Sequence, residues 1–156
     1  MATKSQYARV EKLIERLAPV WQERMGLGDF EIEHVFLDSY EGGVSADDFA
    51  ITACAESRWN YKQAKIKWYL PSAVRHSDET LEGTLVHELC HVLLSPEQDL
   101  IDIELEKAAR EHEQTSDEFD QLVDQFYQRL EMATEMAARA IQRGWTQFDL
   151  AVGVID

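Results

Sequence analysis

The spacing of apolar positions changes along the chain, and with it the predicted element. From about Ser5 to Met25, Tyr7, Val10, Leu13, Ile14, Leu17 and Trp21 recur at three- and four-residue steps, the period of one helix face. Gly26 and Gly28 are placed to end that helix in a turn. The period then shortens to two. Phe30, Ile32, His34 and Phe36 share one side of a predicted strand from Phe30 to Leu37. A short apolar strand is expected from Phe49 to Ala55, entered from a turn-rich stretch over residues 41–48. A third is expected from Ala64 to Leu70, with Ile66, Trp68 and Leu70 alternating against Lys65, Lys67 and Tyr69. The polar residues between the last two predict an antiparallel hairpin, and Pro71 stops the third strand because it cannot donate to a ladder.

Helical spacing then returns. Ser77 is placed to cap a helix that begins near Asp78 and passes through Leu85, Val86, Leu89 and Val92 to about Leu94, with Pro96 just beyond. A weaker helix is expected from Leu100 to Glu111. Thr115 and Glu118 have capping-box spacing for a last long helix running to about Arg143, with Gly144 as its C-cap. One helix, a small three-stranded sheet and then helices make an α+β chain. No repeat or linker interrupts it, so one domain over residues 1–156 is expected.

Composition narrows the function classes. Acids outnumber bases 30 to 15, a net charge of −15. Nucleic acid and anionic membrane both call for a basic surface, so neither is the expected partner. No apolar run approaches the ~18 residues of a membrane span. The first residues, Met1-Ala2-Thr3-Lys4-Ser5-Gln6, begin no apolar h-region, so no secretory signal is expected. The two cysteines, Cys54 and Cys90, are too few for a disulfide framework. A cytoplasmic protein with free thiols follows as the expectation.

One pentapeptide carries chemistry. His87-Glu88-Leu89-Cys90-His91 is an H-E-x-x-H motif inside a predicted helix. Residues four apart lie one turn above each other, so both imidazoles can reach one tetrahedral Zn²⁺. Glu88 is about 100° round the helix from His87. There it flanks the metal and can take a proton from water. With 5 His and 18 Glu in the chain, random placement gives roughly 0.02 such matches. The flanking Leu85, Val86, Val92, Leu93 and Leu94 are apolar, and polar groups in such a helix need a reason to be there.

The run from Leu85 to Leu94 resembles the active-site helix of zincin metallopeptidases. The element order resembles the minimal zincins of bacterial and phage genomes. That resemblance implies a zincin-like fold, a peptide or protein substrate, and a sheet whose edge strand lies along the substrate cleft. Lys65 to Leu70, the last strand before the active-site helix, is expected at that edge. There it can recruit an extended peptide by β-augmentation, with Lys65 and Lys67 as guards against self-association.

Two histidines hold zinc poorly, so a third protein ligand is expected. The metzincin pattern fails, since Leu94 stands where it needs glycine and Glu97 where it needs histidine. Glu97, Asp99 and Asp102 remain as nearby candidates. The gluzincin pattern takes a glutamate from a second helix. The segment from Leu130 to Ala138 resembles that helix and, loosely, the Ala-rich E-x-x-A-N-x-F-A-A segment of phage-repressor-cleaving peptidases, although the Asn is absent. With Leu130 at 0° and ~100° per residue, Glu131 falls near +100°, at the rim of the apolar face, and Glu135 near +140°, further towards solvent. Glu131 is the favoured ligand, with Glu135 supporting it. Cys54 and Cys90 read as small buried hydrophobes. His34, His76 and His112 read as structural or surface residues, and Tyr69 and Tyr127 as candidate transition-state donors.

The expectation is a gluzincin-type zinc peptidase with His87, His91 and Glu131 on the metal and Glu88 as general base. The rivals are a non-enzymatic binding protein that keeps the fold and zinc site, and a toxin or regulatory protein acting on one cellular partner.

Overall fold

The computed structural model describes residues 3–39, 51–111 and 117–153. Its elements are helix α1 (Lys4–Arg24), strand β1 (Glu31–Leu37), strand β2 (Ala53–Arg58), a 3-10 turn at Trp59–Tyr61, strand β3 (Gln63–Tyr69), a short helix α2 (Leu70–Ala73), helix α3 (Asp78–Glu111) and helix α4 (Asp117–Ala151). The chain is α+β, with an N-terminal helix, a small mixed sheet and a long C-terminal helix. It divides into two compact units, Met1–Leu93 and Leu94–Asp156. The turn-rich 41–48 stretch, the start of the expected Phe49 strand, His112 and Thr115 lie outside the described residues.

Helix α1 begins at a capping box that the apolar pattern did not show. The Gln6 amide donates to Thr3 Oγ1 at 3.3 Å, and the Thr3 amide donates to Gln6 Oε1 at 2.8 Å. It ends as the sequence implies. Gly26 adopts φ +72°, its amide donates to the Glu23 carbonyl, and the Leu27 amide reaches back to the Gln22 carbonyl at 2.9 Å. That is a Schellman ending, which favours glycine at the left-handed position.

The sheet order is β1-β3-β2. The expected hairpin is present: β2 pairs antiparallel with β3, Ala53 opposite Trp68 and Arg58 opposite Gln63. The expected edge position of 65–70 is not. β3 is the central strand, because β1 pairs along its other side in parallel, from Glu31 opposite Gln63 to Leu37 opposite Tyr69. Its alternation reflects that place. Ile66 and Trp68 are fully buried, while Lys65 and Lys67 meet Glu33 of β1 at 3.0 Å and Glu56 of β2 at 2.8 Å. The lysines are cross-strand ion-pair partners, so they guard no edge. Leu70 leaves the strand and opens α2.

The first unit's core collects Val10, Leu13, Ile14, Ala18 and Trp21 from α1, Ile66 and Trp68 from β3, and Leu81, Leu85, Val86, Leu89 and Val92 from α3. Polar ties fix the two helices. Trp21 Nε1 donates to Glu82 at 2.8 Å, and Arg9 reaches both Asp78 and the His76 carbonyl at 2.9 Å.

Two expected helix ends are absent. α3 does not stop before Pro96 but continues to Glu111 and absorbs the separate 100–111 helix. A proline inside a helix removes one backbone donor and crowds the carbonyl four residues back. That local cost is outweighed where strong helix formers continue on both sides, as Leu, Glu, Lys and Ala do over residues 100–109. Likewise α4 runs through Gly144 to Ala151. Trp145 and Phe148 stack edge-on at 5.3 Å beyond it, and Gly153, at φ +72°, takes the terminal role assigned to Gly144.

Candidate functional site

The H-E-x-x-H segment lies wholly on the first unit, in the first half of α3. The helix start is held by Ser77, whose Oγ accepts from the Thr80 amide at 3.2 Å. From there Leu81, Leu85, Val86, Leu89, Cys90 and Val92 are buried to 1% exposure or less. They clamp the helix on several sides, and the remaining side carries His87 and His91, both half-buried.

The two imidazoles converge. Their Nε2 atoms are 3.0 Å apart, with ring centroids at 4.8 Å and planes at 75°. Two nitrogens each about 2.05 Å from a shared tetrahedral ion stand about 3.3 Å apart. The observed separation is within a few tenths of an ångström of that value, so the donor pair fits a borderline metal such as zinc. The same distance also serves a hydrogen bond in which one ring donates and the other accepts.

Glu88 is buried, at 6% exposure. Its carboxylate lies close enough to Cys54, on β2, for its charge to act on that thiol. Burial pushes the Cys54 thiol pKa up, and the charges of Glu88 and then Glu56 add to the rise, against Lys67 and a hydrogen bond with Tyr69. This places Cys54 of the edge strand β2 near Glu88 of α3; Cys54 is half-buried, where the sequence suggests a buried hydrophobe. Only the register of the hairpin could have disclosed it, because residues 54 and 88 share no local pattern.

The weaker candidates resolve into structural bonds. Trp68 Nε1 donates to His34 Nδ1 at 3.1 Å, and burial lowers the His34 pKa. His76 Nε2 bonds Thr52 Oγ1 at 3.1 Å. In the second unit, Asp102 accepts from the Tyr127 hydroxyl at 2.5 Å. The side chains of Glu97 and Asp99 lie outside the described residues.

Glu131 and Glu135 both lie on α4, in the second unit. Their expected ranking by exposure is reversed: Glu131 is exposed and Glu135 half-buried. Glu135 also pairs with Arg139 through an i,i+4 ion pair at 2.5 Å. Angle round a helix does not register such a pair. Thr134 and Ala138, beside Glu131, are buried to 1% and 3% as that face requires.

A separate cavity of about 450 Å³ is lined by Glu31, Glu33, Glu56, Arg58 and Lys65 among others. Lys65 and Glu33 pair there with each other. No helix of the described residues is long and apolar enough to cross a membrane. Compared with known proteins, the chain matches no family model, no curated protein and no solved structure.

Proposed function

We propose that this chain is a zinc-dependent peptidase of gluzincin type with a zincin-like fold. The observation that carries the reading is the 3.0 Å approach of the His87 and His91 Nε2 atoms on one helix face, with the buried Glu88 beside them. In this reading His87, His91 and Glu131 hold the ion. Glu131 is the carboxylate assigned to the metal, and Glu135, which pairs with Arg139, supports it. When bound, the ion supplies Lewis acidity at the scissile carbonyl and lowers the pKa of water towards ~7.

The chain's own residues do the rest. Glu88 takes a proton from the attacking water as general base and delivers it to the leaving amine as general acid. Its burial among apolar side chains keeps that carboxylate away from bulk solvent, where its charge acts more strongly on the reacting groups. An extended peptide substrate is held along the outer side of β2, the edge strand whose Cys54 feels the charge of Glu88. Among the described residues no strand pairs with that side, and its backbone groups suit β-augmentation. This replaces 65–70 as the docking strand.

The test is Glu88→Gln, which keeps size and hydrogen bonding but removes the base. Zinc content and fold are expected to persist while peptide cleavage falls by ~10²–10⁴. Unchanged turnover would refute the role of Glu88. If the zinc-loaded parent cleaves nothing in a proteome-derived peptide library, the non-enzymatic binding protein is the better reading. If the parent takes up no zinc, the histidines are only hydrogen-bonded.

A further inference from the structure

One side of α4 carries a stripe that the proposed chemistry does not use. At ~100° per residue, Arg129, Met132, Met136, Arg139 and Arg143 fall within about 80° of one another. All five are exposed, Met132 at 65% and Met136 at 70%. The stripe is about 21 Å long. Arg139 pairs with Glu135, and Arg129 and Arg143 have no ion-pair partner among the described residues. The local charge makes this arrangement unusual. Residues 94–128 hold eleven acids and only Lys107 and Arg110 as bases, so three of the unit's five basic residues stand on this one stripe.

We propose that the stripe docks an acidic amphipathic helix of a partner protein. Guanidinium groups bind carboxylates in a planar, bidentate fashion and are enriched at interfaces. Methionines between them are unbranched and polarizable, so they adapt to the apolar side of a helix. The length suits a partner helix of about fourteen residues. Charge complementarity selects this occupant. A nucleic acid or an anionic bilayer presents a broad negative surface to a chain of net charge −15, whereas a single acidic helix meets only the basic stripe. A second copy carries the same excess of acid over its whole surface.

The test uses the full chain and a fluorescein-labelled synthetic peptide of about fifteen residues, with leucines along one helical side and flanking glutamates. Its scrambled isomer serves as control. Fluorescence anisotropy should show saturable binding of the amphipathic peptide that weakens with added salt. Kd should rise at least about tenfold in Arg129→Glu/Arg143→Glu, and again in Met132→Ser/Met136→Ser, with circular dichroism unchanged. The proposal is overturned if the parent does not bind the peptide. Equal binding of the scrambled isomer, or unchanged Kd in both variants, overturns it as well. Binding of phosphatidylserine vesicles that both variants abolish would assign the stripe to lipid. A dimer seen by light scattering and dissociated by Arg129→Glu/Arg143→Glu would assign it to a second copy. Either result replaces the acidic helix.

Discussion

The two units of this chain stabilise themselves differently. Twenty apolar residues of Met1–Leu93 are buried, against Ala138 alone among the described residues of Leu94–Asp156. In the first unit each element is pinned by non-local contacts: a central strand paired on both sides, a tryptophan bonded to a glutamate on another helix, a histidine bonded to a tryptophan on the next strand. In the second, helices carry Leu100, Ile103, Met132, Met136, Phe148 and Leu150 to solvent. The lesson concerns where precise chemistry can sit. Two imidazoles keep their nitrogens at a fixed separation only if neighbouring side chains forbid other rotamers, and close packing does that. His87, Glu88 and His91 are all in the packed unit. The other unit presents exposed side chains along its helices, for which helical periodicity is enough.

The sharpest way to break this contrast is to remove one large side chain from each unit. Trp68→Ala should cost about 3–5 kcal/mol, because Trp68 is fully buried. Met136→Ala should stay within about 0.5 kcal/mol, because Met136 is 70% exposed. Urea unfolding with the same probe measures both, and equal losses would mean that the second unit is packed in a way its exposure does not show.

Lys67→Pro tests the central position of β3. A proline there cannot donate to the ladder and forces the strand apart, at about 3 kcal/mol or more. A stable, well-folded Lys67→Pro would return 65–70 to an edge.

Metal removal is expected to have an effect of similar size. Chelation should lower the melting temperature of the zinc-loaded protein, by an amount equivalent to about 4 kcal/mol when free zinc stands at 1,000 times its Kd. His87→Ala and His91→Ala should each abolish that dependence, while Glu131→Ala should weaken it more than Glu135→Ala. Loss at Glu135 alone would move the third ligand by one turn.

His34 gives a smaller, pH-dependent effect. Burial lowers its pKa below the usual 6.5. As pH falls below 6.5 the unfolded chain therefore takes up a proton before the folded one, and stability falls until pH passes the folded value. Protonation also converts Nδ1 into a donor facing the Trp68 N–H, whose hydrogen bond of about 1 kcal/mol is then lost. Stability measured from pH 8 to 5 should decline less in His34→Gln than in the parent, and parallel curves would exclude His34 as the source.

The smallest test contrasts two glycines. Gly144→Ala should stabilise by about 0.5–1 kcal/mol, since the position is inside α4 and a Cβ meets nothing within 4 Å. Gly26→Ala should destabilise by about 1 kcal/mol despite equal space, because its φ is +72°. Destabilisation by Gly144→Ala would restore it as a helix end.

Much of the helical structure, and the spacing of the histidine pair, were legible in the chain because helical hydrogen bonds close within four residues. A three- or four-residue period therefore specifies α1, the start of α3 and the juxtaposition of His87 with His91 without reference to the rest of the molecule. Stops are less local than they look. Pro96 and Gly144 are weak helix residues, yet α3 and α4 run through them. Strand pairing was legible only for the β2–β3 hairpin. β1 and β3 pair residues 31 and 63, and an alternating Ile-Lys-Trp pattern describes a central strand flanked by glutamates as well as it describes a guarded edge. Tertiary structure alone decided that Lys65 and Lys67 are bridged from opposite sides, and that Cys54 on β2 stands near Glu88. Each of these is a contact between side chains whose partners are chosen by packing, and no one-dimensional period encodes that choice.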